Sequence, residues 1–521
     1  MNLNAINRIV ILGGGMTGWT VAAALAKGLQ GIQKSILLID SAPQAVSDLQ
    51  CEATTPACVA FHQFLGISET DLLSKTGSSF LLATQFNDWS DNQQNYFLPF
   101  NDHGFMLNRI EFPQYAISRY LSGAPLNFDD FSLASAAAKA GRFLHPSKQE
   151  SSLFSTFNYG LNLNVTAYTD YLRDFAVCSG VEHICADVSS FSLDAVGNIE
   201  SITLADYTQF EQAASAITNG VVSGDLFIDC SGVQAALIEK ALNIEWHSAE
   251  KSLPVTHVLS HVGPVAHTQA VPSHRILKTV ASGWMQQIST QTQTEQQYFY
   301  HRNFVNAAQA CAELGVDPAN VTIQQLSVGR RQLFWAKNCV AIGDSAGNIG
   351  VQGAGKLHLI QSAVLRLISL FPQQLSSVFN AAEYNRLTHL EYDHIEDFHV
   401  LHNQLASTQS SVYWQQVART KLSDRLLHKL ELFKLRGLIA FYEGETFSPG
   451  VWTSLLLGNG FWPQNYDPLI RNMDSGWIEQ QLGKMKNMIH SAAESMPLQA
   501  DYLNQKKYSF FQSTRIAAIA N

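Results

Sequence analysis

The glycine turn near the N-terminus restricts the possible folds of this chain more than any other segment. The apolar run Arg8 to Leu12 is followed by Gly13-Gly14-Gly15-Met16-Thr17-Gly18 and then by an alanine-rich stretch with helical character. A second apolar run, Ser35 to Ile39, ends on Asp40, about 20 residues past the last glycine, which is the spacing of a dinucleotide-binding unit. The pattern predicts a βαβ unit of the Rossmann type.

Each glycine of such a unit has a separate task. Gly13 permits the tight bend, Gly15 lets the backbone approach a pyrophosphate, and Gly18 lets the helix pack on the strand. The pyrophosphate lies at the helix N-terminus, where free N–H groups and the helix dipole favour an anion. Asp40 would accept a hydrogen bond from an adenosine ribose hydroxyl. A glycine turn with only a structural role is the alternative, and the pattern alone does not distinguish NAD from FAD.

The composition of the chain indicates which classes of protein and of binding partner are possible. The chain has 521 residues, of which 46% are hydrophobic and 15% charged, enough to bury a large core. A net charge of −10 argues against nucleic acid and anionic lipid as partners, because both bind clustered Lys and Arg. Seven cysteines without a paired metal spacing fit a reduced, cytoplasmic interior. We expect neither a signal peptide nor a membrane helix, since no apolar stretch reaches roughly 20 residues.

Two further apolar runs predict where the sheet continues. Leu226 to Cys230 and Cys339 to Ile342 each end in a turn of small residues that could bring a loop to the same ligand. After about residue 370 the pattern is helical. We therefore expect a nucleotide-binding domain at residues 1–375, interrupted by substrate-domain insertions, and a helical C-terminal region at residues 376–521.

Several separated segments match, in order, the signatures of one family. Cys51-Glu-Ala-Thr-Thr-Pro56 resembles its GEATxP segment, and Gly224-Asp-Leu-Phe-Ile-Asp-Cys-Ser-Gly232 resembles its DLFIDCTG strand. Further matches are Gly329-Arg-Arg331, Trp335 to Asp344, His358-Leu-Ile-Gln361, Ile395-Glu-Asp-Phe398 with His402, and Trp452 to Gly458. The chain thus resembles the flavin-dependent tryptophan halogenases, which are related to the FAD monooxygenases.

This resemblance implies an α/β fold of the Rossmann type, as in glutathione reductase and the monooxygenases, with an inserted substrate-domain sheet and a helical C-terminal region. It also implies bound FAD, reduced by a separate flavin reductase, that reacts with O₂ apart from the compartment of the organic substrate. Chloride or bromide and an aromatic small molecule would be the other reactants. By resemblance, the residues that contact FAD are Gly13, Gly15, Met16, Thr17, Gly18, Asp40, Glu52, Ala53, Val188, Asp344 and Leu357, with Asp344 at the ribityl chain.

The catalytic motifs of the family are altered in this chain. The family keeps a lysine in an F-K-L-G-I-R-F segment, where this chain has Leu81, and an alkyl side chain cannot donate a proton. The family's PLESTG loop aligns with Val351–Lys356, which places Gly353 at the glutamate position. The GWxWxIP signature aligns with Gly283–Ser289, which keeps Trp284 and loses the second tryptophan and the proline.

Lys356 and Trp284 are the remaining candidates for catalytic residues. The backbone amides of Gly355 and Lys356, at a predicted helix N-terminus, could hold a halide or another anion. The ammonium of Lys356 could stabilise an anionic reduced flavin or replace the lost lysine, or it could simply face solvent. The run Gly350 to Lys356 also fits GxxxxGK, but Leu357 follows in place of the Ser or Thr of a P-loop.

Three alternatives remain open at this point. The protein could halogenate an aromatic substrate, oxygenate one directly without a halide, or bind FAD without turnover. A metal site could also be imagined at His394, Glu396, Asp397, His399 and His402, although packing on a helix explains this cluster better. We therefore predict no metal.

Overall fold

The computed structural model describes residues 6–32, 34–40, 49–89, 95–205, 217–265, 271–350, 352, 355–372, 378–406 and 411–505. Its strands are β1 Arg8–Leu12, β2 Ser35–Asp40, β3 Cys51–Ala53, β4 Ser79–Leu81, β5 Ala83–Asn87, β6 Tyr96–Pro99, β7 Gly160–Asn164, β8 Glu182–Cys185, β9 Val188–Leu193, β10 Ile199–Leu204, β11 Ile217–Thr218, β12 Val221–Ser223, β13 Leu226–Asp229, β14 Trp246–Ser248, β15 His257–Pro264, β16 His274–Val280, β17 Gly283–Ser289, β18 Gln293–Tyr300, β19 Thr322–Gln325, β20 Gly329–Arg331, β21 Trp335–Ala336, β22 Cys339–Ala341 and β23 Gly347–Asn348. Its helices are α1 Met16–Gly28, α2 Pro56–Leu65, α3 Glu69–Thr76, α4 Phe112–Leu121, α5 Leu133–Lys139, α6 Val165–Cys178, α7 Ala307–Leu314, α8 Lys356–Ser369, α9 Val378–Leu405, α10 Val412–Val417, α11 Asp424–Arg436, α12 Pro449–Gly458 and α13 Ser475–Ser495.

A six-stranded sheet forms the nucleotide-binding half, in the order β21-β22-β13-β1-β2-β8. Strands β1, β2, β8, β13 and β22 run parallel, and β21 pairs antiparallel at one edge. The inner strands are largely apolar because the sheet is covered, with α1 packed on β1 and β2 and with α6 and α8 packed on α1. The predicted βαβ unit and the predicted strands at 226–230 and 339–342 are confirmed.

A seven-stranded sheet, in the order β19-β15-β18-β17-β16-β5-β6, forms the inserted layer. Its pairing is antiparallel except between β16 and β5. Burial alternates along β16 and β17, so every second side chain lies on the covered face of the sheet. The register places Arg275 opposite Thr84 and Gln286 opposite Gln297.

The helices after residue 377 pack on both sheets, and their apolar residues belong to the same core as β1 and α1. Within the described residues, no helix has the length and apolar character needed to span a membrane. The boundary that we predict at residue 375 falls between described segments, at residues 373–377, which lie outside the described part of the chain. The two-domain division therefore stays a prediction.

Candidate active site

The glycine turn between β1 and α1 is pressed against its neighbours. Gly13 has a φ of +111°, and a β-carbon there would collide with the carbonyl oxygen of Cys230. A β-carbon on Gly18 would collide with the carbonyl oxygen of Gly13. The N–H of Gly13 donates to the carbonyl of Ile39 at 2.8 Å, so the turn lies across the carboxyl ends of the central strands.

Gly15 differs from the other two glycines because the space beside it is open. A β-carbon built on Gly15 meets no protein atom within 4 Å. Gly15 is the N-cap of α1, and no side chain caps the first turn of that helix. The uncapped N–H groups and the open space fit a pyrophosphate at this helix end, and Met16 and Thr17 form the first turn.

Asp40 ends β2 beside this turn. Its Oδ1 accepts a hydrogen bond from the N–H of Gly14 at 3.1 Å. Burial raises the pKa of Asp40, and the Gly14 hydrogen bond partly opposes this shift. The carbonyl of Asp40 accepts from the N–H of Ala186 at 2.7 Å, which places half-buried Val188, at the start of β9, near the same strand end.

Asp344 lies in the turn that follows β22. A β-carbon on the preceding Gly343 would come within 2.7 Å of the Thr17 side chain, so this turn borders the start of α1. Oδ2 of Asp344 forms an ion pair with the ammonium of Lys356, whereas its Oδ1 is buried without a partner in the described part of the chain. A buried acceptor normally receives a hydrogen bond, and a ribityl hydroxyl of FAD would donate one.

Glu52 and Ala53, on β3, meet the start of α8. Glu52 Oε1 accepts a hydrogen bond from the N–H of Leu357 at 3.1 Å, and its carboxylate lies directly against Gly355. Burial raises the pKa of Glu52, while the positive charges of Lys356 and Arg275 act in the opposite direction. The predicted helix N-terminus at Lys356 is confirmed, and the protein's own carboxylate is bound there.

Leu81 lies near this segment in apolar surroundings. The residue is 1% exposed and packs in a small cluster with Cys51, Ala53, Ile288 and Phe100. The position where the resemblance expects a lysine is therefore beside Ala53 of the predicted FAD segment. The apolar members of this cluster favour an alkyl group at Leu81.

Trp284 lies on the covered face of the seven-stranded sheet. Its ring stacks on Phe299 with 5.4 Å between centroids, and its indole N–H is buried without a partner among the described residues. Gln286, two residues along the same strand, takes the position of the second tryptophan in the signature. It donates to Gln297 Oε1 at 2.9 Å.

Arg275 is the residue that sequence reasoning missed. Its guanidinium donates from Nε to Thr84 Oγ1 at 2.8 Å, from Nη1 to Gln286 Oε1 at 3.2 Å and from Nη2 to the carbonyl of Gln352 at 2.6 Å. Arg275 is 4% exposed, and burial lowers its pKa to about 10, with Glu52 opposing. Arg275 is one of three basic residues in the segment His274–Val280, so nothing in the sequence set it apart.

A family model for tryptophan halogenases matches residues 8–475 of the chain. The chain belongs to the tryptophan halogenase family. It is 23% identical to tryptophan 6-halogenase SttH of Streptomyces toxytricini over 542 residues, covering 96% of this chain and 98% of that one. It is 25% identical to tryptophan 7-halogenase RebH of Lentzea aerocolonigenes, covering 96% and 99%.

Solved structures agree with this assignment. The flavin-dependent halogenase BrvH of Brevundimonas sp. BAL3 is 27% identical and superposes with a TM-score of 0.89, over 96% of this chain and 99% of that one. Xcc4156, a flavin-dependent halogenase of Xanthomonas campestris, is also 27% identical, with a TM-score of 0.88 over 96% and 98%. As a member of the tryptophan halogenase family, the protein is an enzyme with FAD as its cofactor, and its fold is the FAD-binding α/β fold that we expected.

The halide loop of the family is only partly described here. Val351, Gly353 and Ala354 lie outside the described residues, so the halide amides and the glutamate position stay predictions there. Gly355 and Lys356 are described. The ammonium of Lys356 does not simply face solvent, because it pairs with Asp344.

The His and acidic cluster on α9 makes separate contacts. His399 Nδ1 hydrogen-bonds with the carbonyl of Ile349 at 2.7 Å, and His402 Nε2 with the hydroxyl of Tyr96 at 2.8 Å. Further along, Glu396 accepts from a serine and Asp397 from an arginine. Among the described residues, no group of His, Cys, Asp and Glu is arranged to hold a metal ion.

Proposed function

We propose that this protein halogenates an aromatic small molecule, with chloride or bromide, O₂ and reduced FAD from a separate flavin reductase as the other participants. The observation that carries the proposal is the preserved FAD cradle: open space at Gly15 adjoins the turn that bears the unpaired Oδ1 of Asp344. The family match supports halogenation over direct oxygenation and over FAD binding without turnover.

The residues around the proposed FAD site can each bind a defined part of the cofactor. Gly15 leaves room for the pyrophosphate, and Gly13 and Gly18 allow the close packing of the turn that carries it. Asp40 would accept a hydrogen bond from the ribose, and Asp344 would accept one from the ribityl chain. Reduced FAD, when bound, supplies the activation of O₂. The protein binds the flavin and the substrate, orients them, and excludes water from the site.

We further propose that the start of α8 is the halide end of the site. Backbone N–H groups of a helix N-terminus favour an anion, and Lys356, whose ammonium pairs with Asp344, lies in the same turn. We also propose that Trp284 contacts the organic substrate, because its buried indole N–H lacks a partner among the described residues and could donate to an acceptor on that molecule.

The test is an assay of purified protein with FAD, a flavin reductase, NADH, bromide and a panel of indoles and phenols, analysed by mass spectrometry. We expect a brominated product for at least one substrate and none with the Gly15→Val variant. If bromination is absent across the panel while FAD binds and O₂ is consumed, the proposal is wrong.

We also propose that the protein works in the cytoplasm. All seven cysteines are free thiols, which is the usual state in a reducing compartment. Fractionation of cells that express the chain with a small tag should recover it with cytoplasmic markers, and recovery with secreted protein would contradict this.

A further inference from the structure

Glu295 is a fully buried carboxylate on strand β18 of the seven-stranded sheet. Its Oε2 accepts hydrogen bonds from the backbone N–H groups of Gln50 at 3.0 Å and Cys51 at 2.5 Å. Its Oε1 accepts a hydrogen bond from the hydroxyl of Ser260 on the neighbouring strand β15. A side chain of the inserted sheet therefore binds the backbone at the start of β3, 244 residues earlier in the chain.

Strand β3 needs such an acceptor because it lies at the edge of its own sheet, which has the order β3-β7-β4. The carbonyl of Gln50 and the N–H of Thr54 both form hydrogen bonds on the β7 side. Backbone groups of an antiparallel strand alternate in direction, so the N–H of Cys51 points to the side that has no strand partner. The carboxylate of Glu295 takes the place of the missing strand at this point.

The contact at β3 depends on an acceptor oxygen more than on a charge. The N–H groups of Gln50 and Cys51 can only donate, whereas the hydroxyl of Ser260 can donate or accept. A glutamine at position 295 could therefore present its carbonyl oxygen to the two N–H groups and donate from its amide to Ser260. A leucine of similar size would leave both N–H groups without this acceptor.

The next two residues of β3, Glu52 and Ala53, are those that the resemblance assigns to FAD. Glu52 Oε1 accepts from the N–H of Leu357 at 3.1 Å in the first turn of α8. Lys356, the preceding residue, forms an ion pair with Asp344, the proposed acceptor for the ribityl chain. These contacts put β3 at the flavin half of the proposed FAD site.

We propose that Glu295 is a positioning residue of the FAD site: its carboxylate fixes the start of β3 and thereby places Glu52 and Ala53 against the flavin half of FAD. The adenosine and pyrophosphate half would bind elsewhere, at Gly15 and Asp40, so Glu295 acts on one half of the cofactor only. This inference rests on the proposed FAD contacts and deepens them, and it does not depend on halogenation.

The test compares the binding of FAD and of ADP to purified protein, measured by calorimetry without turnover. ADP carries the adenosine and the pyrophosphate and lacks the flavin. We expect Glu295→Leu to weaken FAD binding about tenfold and to leave ADP binding within about twofold of wild type, because the freed strand must be ordered again when the flavin binds. The visible circular dichroism of FAD-loaded Glu295→Leu should also differ from that of wild type, since the surroundings of the flavin change.

Two further variants separate the acceptor oxygen from charge and packing. Glu295→Gln keeps an oxygen for the two N–H groups, so it should bind FAD within about threefold of wild type. Ser260→Ala is the matched control, because it removes the other hydrogen bond of the carboxylate and leaves the contacts with β3 in place. It should behave like wild type with both ligands. Where Glu295→Leu does not fold, Glu295→Asp, which keeps the charge but has a shorter reach, takes its place and should weaken FAD binding alone.

Loss of affinity that is confined to FAD, with recovery in Glu295→Gln, supports the inference. Folded Glu295→Leu that binds FAD like wild type would overturn it, and so would an equal loss of FAD and ADP affinity, which indicates a general structural role. Where ADP binds too weakly for titration, the comparison of Glu295→Gln with Glu295→Leu decides, and equal losses in the two variants count against the inference. The supporting result in a protein that halogenates no substrate would still support the role of Glu295 and would contradict the proposed function alone.

Discussion

The carboxylate of Glu52 accepts a hydrogen bond of 3.1 Å from the backbone N–H of Leu357, in the first turn of α8. This contact satisfies one free N–H of the helix and places a negative charge at its positive end. A halide that approaches the same helix end therefore meets a resident anion. The affinity for halide should depend on the charge of Glu52.

We expect Glu52→Gln to bind bromide several-fold more tightly than wild type, because the amide keeps the acceptor oxygen and removes the charge. Burial raises the pKa of Glu52 in the folded protein, so protonation begins at a higher pH than the ordinary value of a glutamate. Bromide binding by wild type should therefore strengthen as the pH falls through that raised pKa. Titrations of FAD-loaded protein between about pH 8 and 5 check this, and a Glu52→Gln variant with the same slope as wild type would contradict it.

Gly15 offers a test of FAD binding that leaves the fold intact. Its φ of −71° is open to any residue, and an added β-carbon meets no protein atom within 4 Å. Gly15→Val should therefore fold with only a small drop in melting temperature, since valine is a poorer N-cap than glycine, and lose FAD binding by at least about 100-fold, since the side chain fills the space of the pyrophosphate. Fluorescence titration with FAD measures the loss. Gly18→Val is the contrasting variant, because its side chain would collide with the Gly13 carbonyl and reduce stability.

The ion pair of Lys356 and Asp344 should stabilise the protein before FAD binds. Lys356→Met leaves Asp344 Oδ2 without its cation, and we expect a loss of about 1–3 kcal/mol in the free energy of unfolding. Lys356→Arg keeps the charge and should lose less. Urea denaturation of both variants without FAD gives the comparison, and equal stability of Lys356→Met and wild type would show that the pair contributes nothing.

The sequence predicted features within short motifs better than contacts between residues that are far apart in the chain. The glycine turn, Asp40 and the segments of Glu52 and Asp344 could be placed, because short motifs fix a backbone geometry that the whole family shares. The sequence did not predict that Glu52 would contact the N–H of Leu357, a residue 305 positions away. Such contacts depend on how separate sheets and helices pack, which neither periodicity nor motif spacing specifies.

Arg275 shows the same limit more sharply. Its contact with Thr84 requires the parallel register of β16 and β5, and its contact with Gln352 requires the segment before α8 to reach the covered face of that sheet. Sequence comparison identified what was lost at Leu81, Gly353 and the second tryptophan position. It gave no sign that one distant side chain bonds beside each of these positions.

Chlorination of free tryptophan should be absent or very slow. Leu81 has no amine, and it packs in an apolar cluster with Cys51 and Ile288. Assays with tryptophan, chloride, FAD and a flavin reductase, analysed by mass spectrometry beside an active tryptophan halogenase, test this. Robust formation of chlorotryptophan would contradict it, and Lys356→Met would then show whether Lys356 supplies the missing amine.

Far from the flavin cradle, Lys429 and Glu445 form an ion pair whose side chains are each 2% exposed. The ring of Trp452 lies 4.3 Å from the ammonium, and its indole N–H donates to Glu445 Oε1 at 2.8 Å.

Removal of one partner leaves the other charge buried and uncompensated, so Lys429→Met should reduce the free energy of unfolding by about 3–5 kcal/mol. The double variant Lys429→Met with Glu445→Gln removes both charges and keeps an acceptor for Trp452, and it should recover most of that loss. Urea denaturation of the wild type, both single variants and the double variant completes the cycle. Additive losses would mean that the two charges do not depend on each other, against the close contact that the structure shows.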